Sequence, residues 1–398
     1  MDTTVVIIGQ NYSTSYGVIR AMGEAGLRCE VGKRIHNKIP RFLSPELKSK
    51  YVDKYVYLMT GDDLSMIHDI ISNFSVEGKR KVLIPTDDYC AALIDRNLIE
   101  LQKYFYIPNI NGVAGEVSKM MDKFHQKRIA RQYNISTADI CVIESIKDIE
   151  IVIPRDITYP CFIKPLFSAG ISKSLIRKCD SYNELVSGLT EAFNDSGCKM
   201  LIEKCIEVES EYTIPGIAVD GRVVIPSLIE KTEIGAGAHR GVTISGKVLS
   251  SNQLDVLVRK LERFIKDIGF TGIFDIEIFI SKGNYYFNEL NLRYGAAGYA
   301  LTGSGINLPA LYVDSLLKGK IINDENNQIK QGLSFVNEKA AFEFYLAGYC
   351  SFLDFIHSIK KADIRFIITG SDIKVVFSFL RLVVMSFFVK ILKNVRRK

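Results

Sequence analysis

Between Asp275 and Arg293 the chain alternates polar and apolar side chains in two runs, Asp275-Ile-Glu277 and Asn288-Glu-Leu-Asn-Leu-Arg293. Period-two alternation predicts two adjacent strands. Alternate side chains of a strand share a face, so Glu289, Asn291 and Arg293 should point one way, with Glu277 joining them from the neighbouring strand. Two carboxylates and a carboxamide oxygen are hard ligands of the kind Mg²⁺ takes when it carries phosphates. An Arg beside them can clamp a phosphate or a carboxylate. The same pattern also suits an exposed polar hairpin edge, so this segment does not decide the matter by itself.

A length of 398 residues predicts two or three compact domains. Eight cysteines are scattered without a CxxC pair or a Cys/His cluster. That argues against a zinc site and a disulfide framework, and a reducing cytoplasm is the expected setting. Met1-Asp-Thr-Thr followed by Val5-Val-Ile-Ile8 reads as a first strand rather than a signal peptide. The net charge of +6 is not spread over the chain. No acid follows Asp372, and Lys374, Arg381, Lys390, Lys393, Arg396, Arg397 and Lys398 leave residues 1–372 at −1. The body is therefore not a basic nucleic-acid binder, and no nucleic-acid partner is expected.

Residues 5–8, a polar loop 9–17, a helical stretch through Met22 and a strand at 27–31 make a β-loop-α-β opening, as in a doubly wound sheet. The loop lacks the GxGxxG spacing of dinucleotide binders. A helix at 63–74, a strand at 82–84 and the loop 85–88 continue the alternation. Ligands of open parallel sheets sit at strand C-terminal ends, so loops 9–17 and 85–88 are candidate substrate walls. Residues 107–118 read as a linker and 119–133 as a basic helix. Strands follow near 160–165, 173–177, 200–203, 211–219 and 222–229, with helices at 181–194 and 252–267.

Cys161-Phe-Ile-Lys164-Pro165 reads as a strand ending in Lys, followed by the small-residue loop Ser168-Ala169-Gly170-Ile171-Ser172-Lys173-Ser174. Small residues let backbone N–H groups approach phosphate oxygens. The order is strand–loop–strand, so this is not a P-loop, and a plain hairpin tip remains open. Leu201-Ile-Glu203-Lys-Cys-Ile206 runs into the acids Glu207, Glu209 and Glu211, a segment that suits an adenine edge and ribose hydroxyls or a charged surface turn.

Taken in order, Asp122-Lys123, Lys164-Pro165 with its loop, Glu203 to Glu211, Lys231, and Glu277 to Arg293 resemble the ATP-grasp superfamily. More narrowly they are similar to carboxylate–amine ligases of the D-aspartate ligase type. The resemblance covers about residues 3–320 and includes Leu83-Ile-Pro-Thr-Asp87 and Gly305-Ile-Asn-Leu-Pro309. It implies an N-terminal doubly wound α/β domain at 1–112 and an α+β ATP-grasp body at 113–325, with a lid subdomain at about 135–206. A C-terminal helical extension would occupy 338–398. It implies that Lys123 and Lys164 touch nucleotide phosphates and that Ser168, Ala169, Gly170 and Ser172 belong to the lid loop over them. Glu203 with the backbone of Lys204, Cys205 and Ile206 would form the adenine hinge, and Glu211 would accept from ribose. Glu277, Glu289 and Asn291 would bind Mg²⁺ or Mn²⁺. Arg293 would stabilise the transferring phosphoryl group or acyl phosphate, and Lys231 would make a further phosphate or substrate contact. The loop departs from richer relatives in having a single glycine, Gly170.

The implied activity is ATP-dependent joining of a small-molecule carboxylate to an amine through an acyl phosphate, with a cell-wall or polysaccharide precursor as one acceptor class. A carbamoyl-phosphate-synthase-like or carboxylase-like enzyme and a nucleotide-binding scaffold recruited to a membrane stand as alternatives. Self-association is compatible with the sequence but not specified by it. Within the loop 235–241, His239 and Arg240 suit either a substrate contact or a surface turn. The basic, apolar tail at 374–398 is compatible with an interfacial membrane helix, a helix packed on the body, or a span interrupted by Arg381. Its helical wheel shows no single clean amphipathic face. A cytoplasmic location is expected, at the inner face of the membrane if the tail binds lipid.

Overall fold

The computed structural model describes residues 4–35, 44–59, 61–153, 157–167, 175–236, 241–319 and 329–395. The fold is mixed α/β and is built on three sheets. The first sheet is wholly parallel, with strands in the spatial order Val52–Met59, Arg28–Ile35, Thr4–Gly9, Lys81–Pro85 and Phe105–Tyr106. Its strands Thr4–Gly9 and Lys81–Pro85 have continuous apolar centres, Val5–Ile8 and Val82–Ile84, because both faces are covered, and Val5 to Ile8 are fully buried. The strand order reverses between Thr4–Gly9 and Lys81–Pro85, so their C-terminal loops frame a crevice. These loops are tied together. Ser15 Oγ lies 2.9 Å from Thr86 Oγ1, and the Gln10 N–H donates to Asp87 Oδ2 at 2.8 Å. Gly9 is required there, because a Cβ would sit 1.9 Å from Thr86 Oγ1.

The second sheet is antiparallel, in the order Arg177–Cys179, Cys161–Pro165, Met200–Lys204, Ile140–Ile143. Helix Tyr182–Ser196 packs Leu185 and Leu189 on its inner face, against Ile163, Met200 and Ile202. Alternation along Cys161–Pro165 sends Cys161 and Ile163 into that core and Phe162 and Lys164 to the opposite side.

The third sheet has ten strands and is largely antiparallel. At its centre Ser210–Val219 pairs with Phe270–Ser281, which turns back into Asn284–Asn291. The turn residues Lys282 and Gly283 both have positive φ, 50° and 73°, as a two-residue type I′ hairpin demands. The register places Glu277 opposite Glu289 and Asp275 opposite Asn291. A bulge at Asn288 interrupts it, since Ile278 pairs with Phe287.

Several elements differ from the sequence reading. The basic helix expected over 119–133 is two helices, Glu116–Met120 and Lys123–Gln132. Asp122 separates them because its carboxylate caps the second by accepting from the His125 N–H. The strand expected over 222–229 is split into Arg222–Val224 and Ser227–Ile234 around Pro226, which cannot donate to a ladder. Within 107–118, Asn109–Ile110 pairs with the start of Phe270–Ser281. The strand expected near 173–177 is found at Arg177–Cys179, and its first two expected residues lie outside the described residues.

Residues 338–398 are not only helical. Ile364–Arg365 pairs in parallel with Ser334–Val336 and extends the large sheet. Glu338, fully buried, accepts from the backbone N–H groups of Phe366 (2.9 Å), Ile367 (3.0 Å) and Ile368 (2.7 Å). Burial raises its carboxyl pKa while those amides pull it back. Glu338→Ala strands three amides in the interior, each costing about 1–3 kcal/mol. The expected result in urea unfolding is a loss of about 3 kcal/mol or more. A loss below about 1 kcal/mol would mean that solvent replaces the carboxylate. Asp372, also buried, anchors the last helix, Ile373–Val395, by accepting from Tyr16 Oη, Ser49 Oγ and the Lys50 N–H.

Candidate active site

A cleft of about 480 Å³ opens between the second and third sheets, beside the start of helix Lys123–Gln132. One end is apolar, lined by Phe162, Ile176, Ile206, Val208, Ile234 and Phe279. The other end carries Lys123, Lys164, Glu277, Asn288, Glu289, Asn291 and Arg293. A slot with an apolar part and a part where lysines and Arg293 interleave with carboxylates fits a flat ring joined to an anionic chain that carries a cation.

The hairpin carries the acids. Glu277 and Glu289 are direct cross-strand partners, and Asn291 lies two residues along on the face of Glu289. The Asn288 bulge re-aims that side chain into the same group. Its Nδ2 donates to Glu277 Oε2 at 3.0 Å, and Lys164 Nζ lies 3.5 Å from its Oδ1. Lys123 Nζ lies 3.3 Å from Glu289 Oε1. Arg293 Nη2 donates to Asn291 Oδ1 at 3.1 Å, and its Nε donates to Asp88 Oδ1 at 2.8 Å. Asp88 is the first residue of helix Asp88–Arg96, so the first sheet reaches the site through the loop after Lys81–Pro85. Burial disfavours the charged form of Arg293, but Asp88 outweighs it and holds the guanidinium well above its ordinary pKa.

Two further ion clusters set the walls. Lys164 Nζ is 2.6 Å from Glu203 Oε2, and the wholly buried Lys127 Nζ is 3.4 Å from Glu203 Oε1. Lys127 also donates to the Phe287 carbonyl at 3.2 Å. Burial, aided by the neighbouring Lys164, lowers the Lys127 pKa to about 8. Burial pushes the Glu203 carboxyl upward, yet the two lysines outweigh it and hold it below the usual range. On the other side, Lys231 pairs with Glu211 and lies 3.2 Å from Glu277 Oε1. Burial opposes its charge, but Glu277 and Glu211 raise its pKa above that of a free lysine. Asp275, buried beside Glu277, accepts from Thr213 Oγ1 at 2.9 Å, and desolvation followed by Glu277 pushes it up to about 6.

The structure thus brings Lys123, Lys164, Glu203, Glu211, Glu277, Glu289, Asn291 and Arg293 to one cleft, with Lys231 beneath it between Glu211 and Glu277. Lys204, Cys205 and Ile206 line its apolar end. The Lys204 and Cys205 amides already donate to the carbonyls of Asp139 (2.9 Å) and Pro160 (3.1 Å), so a base edge would be read by other groups of that turn. Ser168, Ala169, Gly170 and Ser172, and likewise His239 and Arg240, lie outside the described residues. Lys127, Asn288 and Asp88 were not assigned roles from sequence. Lys127 had a signal in its i+4 spacing from Lys123 on one helix face. Asn288 had none, because a bulge leaves no mark in the alternation.

Among the described residues no group of three or more His, Cys, Asp or Glu side chains is placed to hold a metal. Glu277, Glu289 and Asn291 offer two carboxylates and a carboxamide, all hard oxygen donors. That set suits Mg²⁺ or Mn²⁺ arriving on phosphates rather than a closed protein cage.

Residues 128–306 match the ATP-grasp domain family. The chain carries an ATP-grasp domain. The match begins after Lys123 and takes in the cleft from Lys164 to Arg293. Over 300 residues the chain is 23% identical to the carbamoyl phosphate synthase large chain of Thermoanaerobacter pseudethanolicus, an alignment covering 72% of this chain and 26% of that protein. It thus spans about a quarter of that relative's length. Among solved structures, it is similar to the L-amino acid ligase of Bacillus licheniformis, with a TM-score of 0.62, 15% identity, and 83% and 78% of the two chains covered. The biotin carboxylase domain of the 2-oxoglutarate carboxylase of Hydrogenobacter thermophilus, in complex with MgADP, ADP and bicarbonate, gives a TM-score of 0.63. That pair shares 18% identity, and the likeness covers 83% and 73% of the chains. At these identities the two structures establish a shared fold.

Proposed function

We propose that this ATP-grasp protein is an ATP-dependent ligase that joins a small-molecule carboxylate to an amine. The observation that carries the reading is the convergence of Lys123, Lys164 and Arg293 with Glu277, Glu289 and Asn291 at the polar end of a nucleotide-sized cleft. In the first step a substrate carboxylate oxygen bonds to the γ-phosphorus as the bond to the β,γ-bridging oxygen breaks, giving an acyl phosphate and ADP. In the second, an amine nitrogen bonds to the acyl carbon, phosphate leaves, and the amine proton passes to solvent or phosphate. Positioning and charge neutralisation supply most of the rate. Lys123 and Lys164 hold phosphate oxygens, and Glu203 fixes the Lys164 ammonium from behind. Arg293, oriented by Asp88 and Asn291, faces the charge that develops at the transferring group. Glu277, Glu289 and Asn291 would hold Mg²⁺ or Mn²⁺, which neutralises phosphate charge when bound. The apolar end takes the base, and Glu211 suits a ribose hydroxyl. A ligase of the D-aspartate ligase type, acting in the cytoplasm on a cell-wall or polysaccharide precursor, is the narrower form of this proposal.

The carbamoyl phosphate synthase and biotin carboxylase relatives favour one second reading, in which bicarbonate is the carboxyl acceptor. One assay separates the two: ADP release with Mg-ATP and hydroxylamine, against amino acids, uronic acids, cell-wall precursors and bicarbonate. A carboxylate-dependent hydroxamate is the expected result and names the acyl donor. ADP release with bicarbonate alone and no hydroxamate supports the second reading, and ATP binding without ADP release from any acceptor supports the scaffold. EDTA should abolish turnover, with Mn²⁺ restoring it.

A further inference from the structure

The last helix, Ile373–Val395, is docked along one side only. Val375, Phe379 and Val383 are buried in the core formed with Tyr16, Leu47 and Phe342, and Asp372 ties down the helix start. The opposite side carries large apolar side chains into solvent: Ile373 is 56% exposed, Phe377 67%, Leu380 42% and Val384 51%. At about 100° per residue these four fall within roughly 60° of one another. The packing therefore resolves the wheel that looks unclear in sequence, because the apolar residues divide between an inward and an outward stripe. Lys374 and Arg381, both exposed, flank the outward stripe on one edge. Phe352 and Leu353, at the start of helix Phe352–Lys361, are also exposed, and the Phe352 ring lies 5.2 Å from that of Phe387 on the last helix. The apolar surface thus continues across two helices.

Charge selects what covers this face. From Ile373 onward the sequence holds seven Lys or Arg residues and no acid, while residues 1–372 sum to −1. A second copy meeting the face would bring like charge against like charge. An anionic lipid surface offers acyl chains for Phe377, Leu380 and Val384 and headgroup charge for Lys374 and Arg381. No described helix is long and apolar enough to cross a membrane, so the geometry is that of a helix lying on the surface. We propose that the outward face of helix Ile373–Val395, with Phe352 and Leu353, docks the protein on anionic membranes. The inference rests on this helix and not on the ligase reading.

The test is co-sedimentation of the full chain with vesicles of phosphatidylcholine alone or with about one third phosphatidylglycerol, at low and high salt. Binding should be about tenfold or more greater on the anionic vesicles and should fall with salt. Phe377→Ser with Leu380→Ser, and separately Lys374→Glu with Arg381→Glu, should each lower it by about tenfold, with the melting temperature and ADP release unchanged. Equal binding to both vesicles, or none to either, overturns the proposal. So does a dimer in sedimentation equilibrium that Phe377→Ser abolishes, since a second copy would then cover the face.

Discussion

Glu289→Gln is expected to lower ADP release by about 10²–10³-fold with the fold intact, the scale of removing one charged contact to a reacting centre. Glutamine is isosteric, so the cross-strand pair with Glu277 keeps its packing. What is lost is a negative charge beside Lys123, at the position proposed for the divalent cation. A carboxamide oxygen is a weaker hard ligand, and Lys123 loses the carboxylate 3.3 Å away. ADP release measured beside a fluorescent-nucleotide titration and a melting curve decides it. Turnover within tenfold of the parent would remove Glu289 from the metal set, whereas lost turnover with retained ATP binding would confirm it.

The largest effect on stability is expected from Lys231→Met. Its side chain is 2% exposed and pairs with both Glu211 and Glu277. Methionine fills a similar volume but leaves two partly buried carboxylates without their cation. Breaking a buried pair from one side costs about 3–5 kcal/mol. Lys231→Met with Glu211→Gln should recover part of that loss, because one of the stranded charges is then gone. Urea unfolding of the single and double variants measures both quantities. A single-variant loss below about 1 kcal/mol, or no recovery in the double, would show that solvent already screens the cluster. The folded pKa of Lys231 lies above its unfolded value of about 10.4, so its contribution is complete at neutral pH and is lost only as pH rises through the folded value.

Much of the site was legible in the sequence because strands write their faces as alternation. Glu289, Asn291 and Arg293 were placed on one face by period two, and Glu277 by the neighbouring strand. Lys164 was read as a strand-end lysine beside the small-residue loop, and the structure adds that alternation along Cys161–Pro165 turns it away from the Ile163 core. Asn288 escaped it because a bulge adds one residue to one strand without changing composition. Lys127 escaped because a helical lysine gives no sign of burial, and its environment is supplied by Glu203 and Phe287 from two different sheets. Asp88 could be read as the wall of a loop, but not as the partner of a residue 205 positions away.

The tail shows the same division. Its charge, its length and the absence of acids after Asp372 are properties of the sequence alone. Which apolar residues face inward is decided by Asp372 bonding to Tyr16 and Ser49 and by Phe379 packing near Phe342. Local patterning is set by the backbone period of each element, so the sequence by itself determined the strand faces, the helix periods and the order of the residues that resemble the ATP-grasp pattern. Long-range contacts between separately patterned elements carry no local signal. Only the tertiary structure therefore decided that Asp88 orients Arg293, that Glu203 is held between Lys164 and Lys127, and which stripe of the last helix is left uncovered.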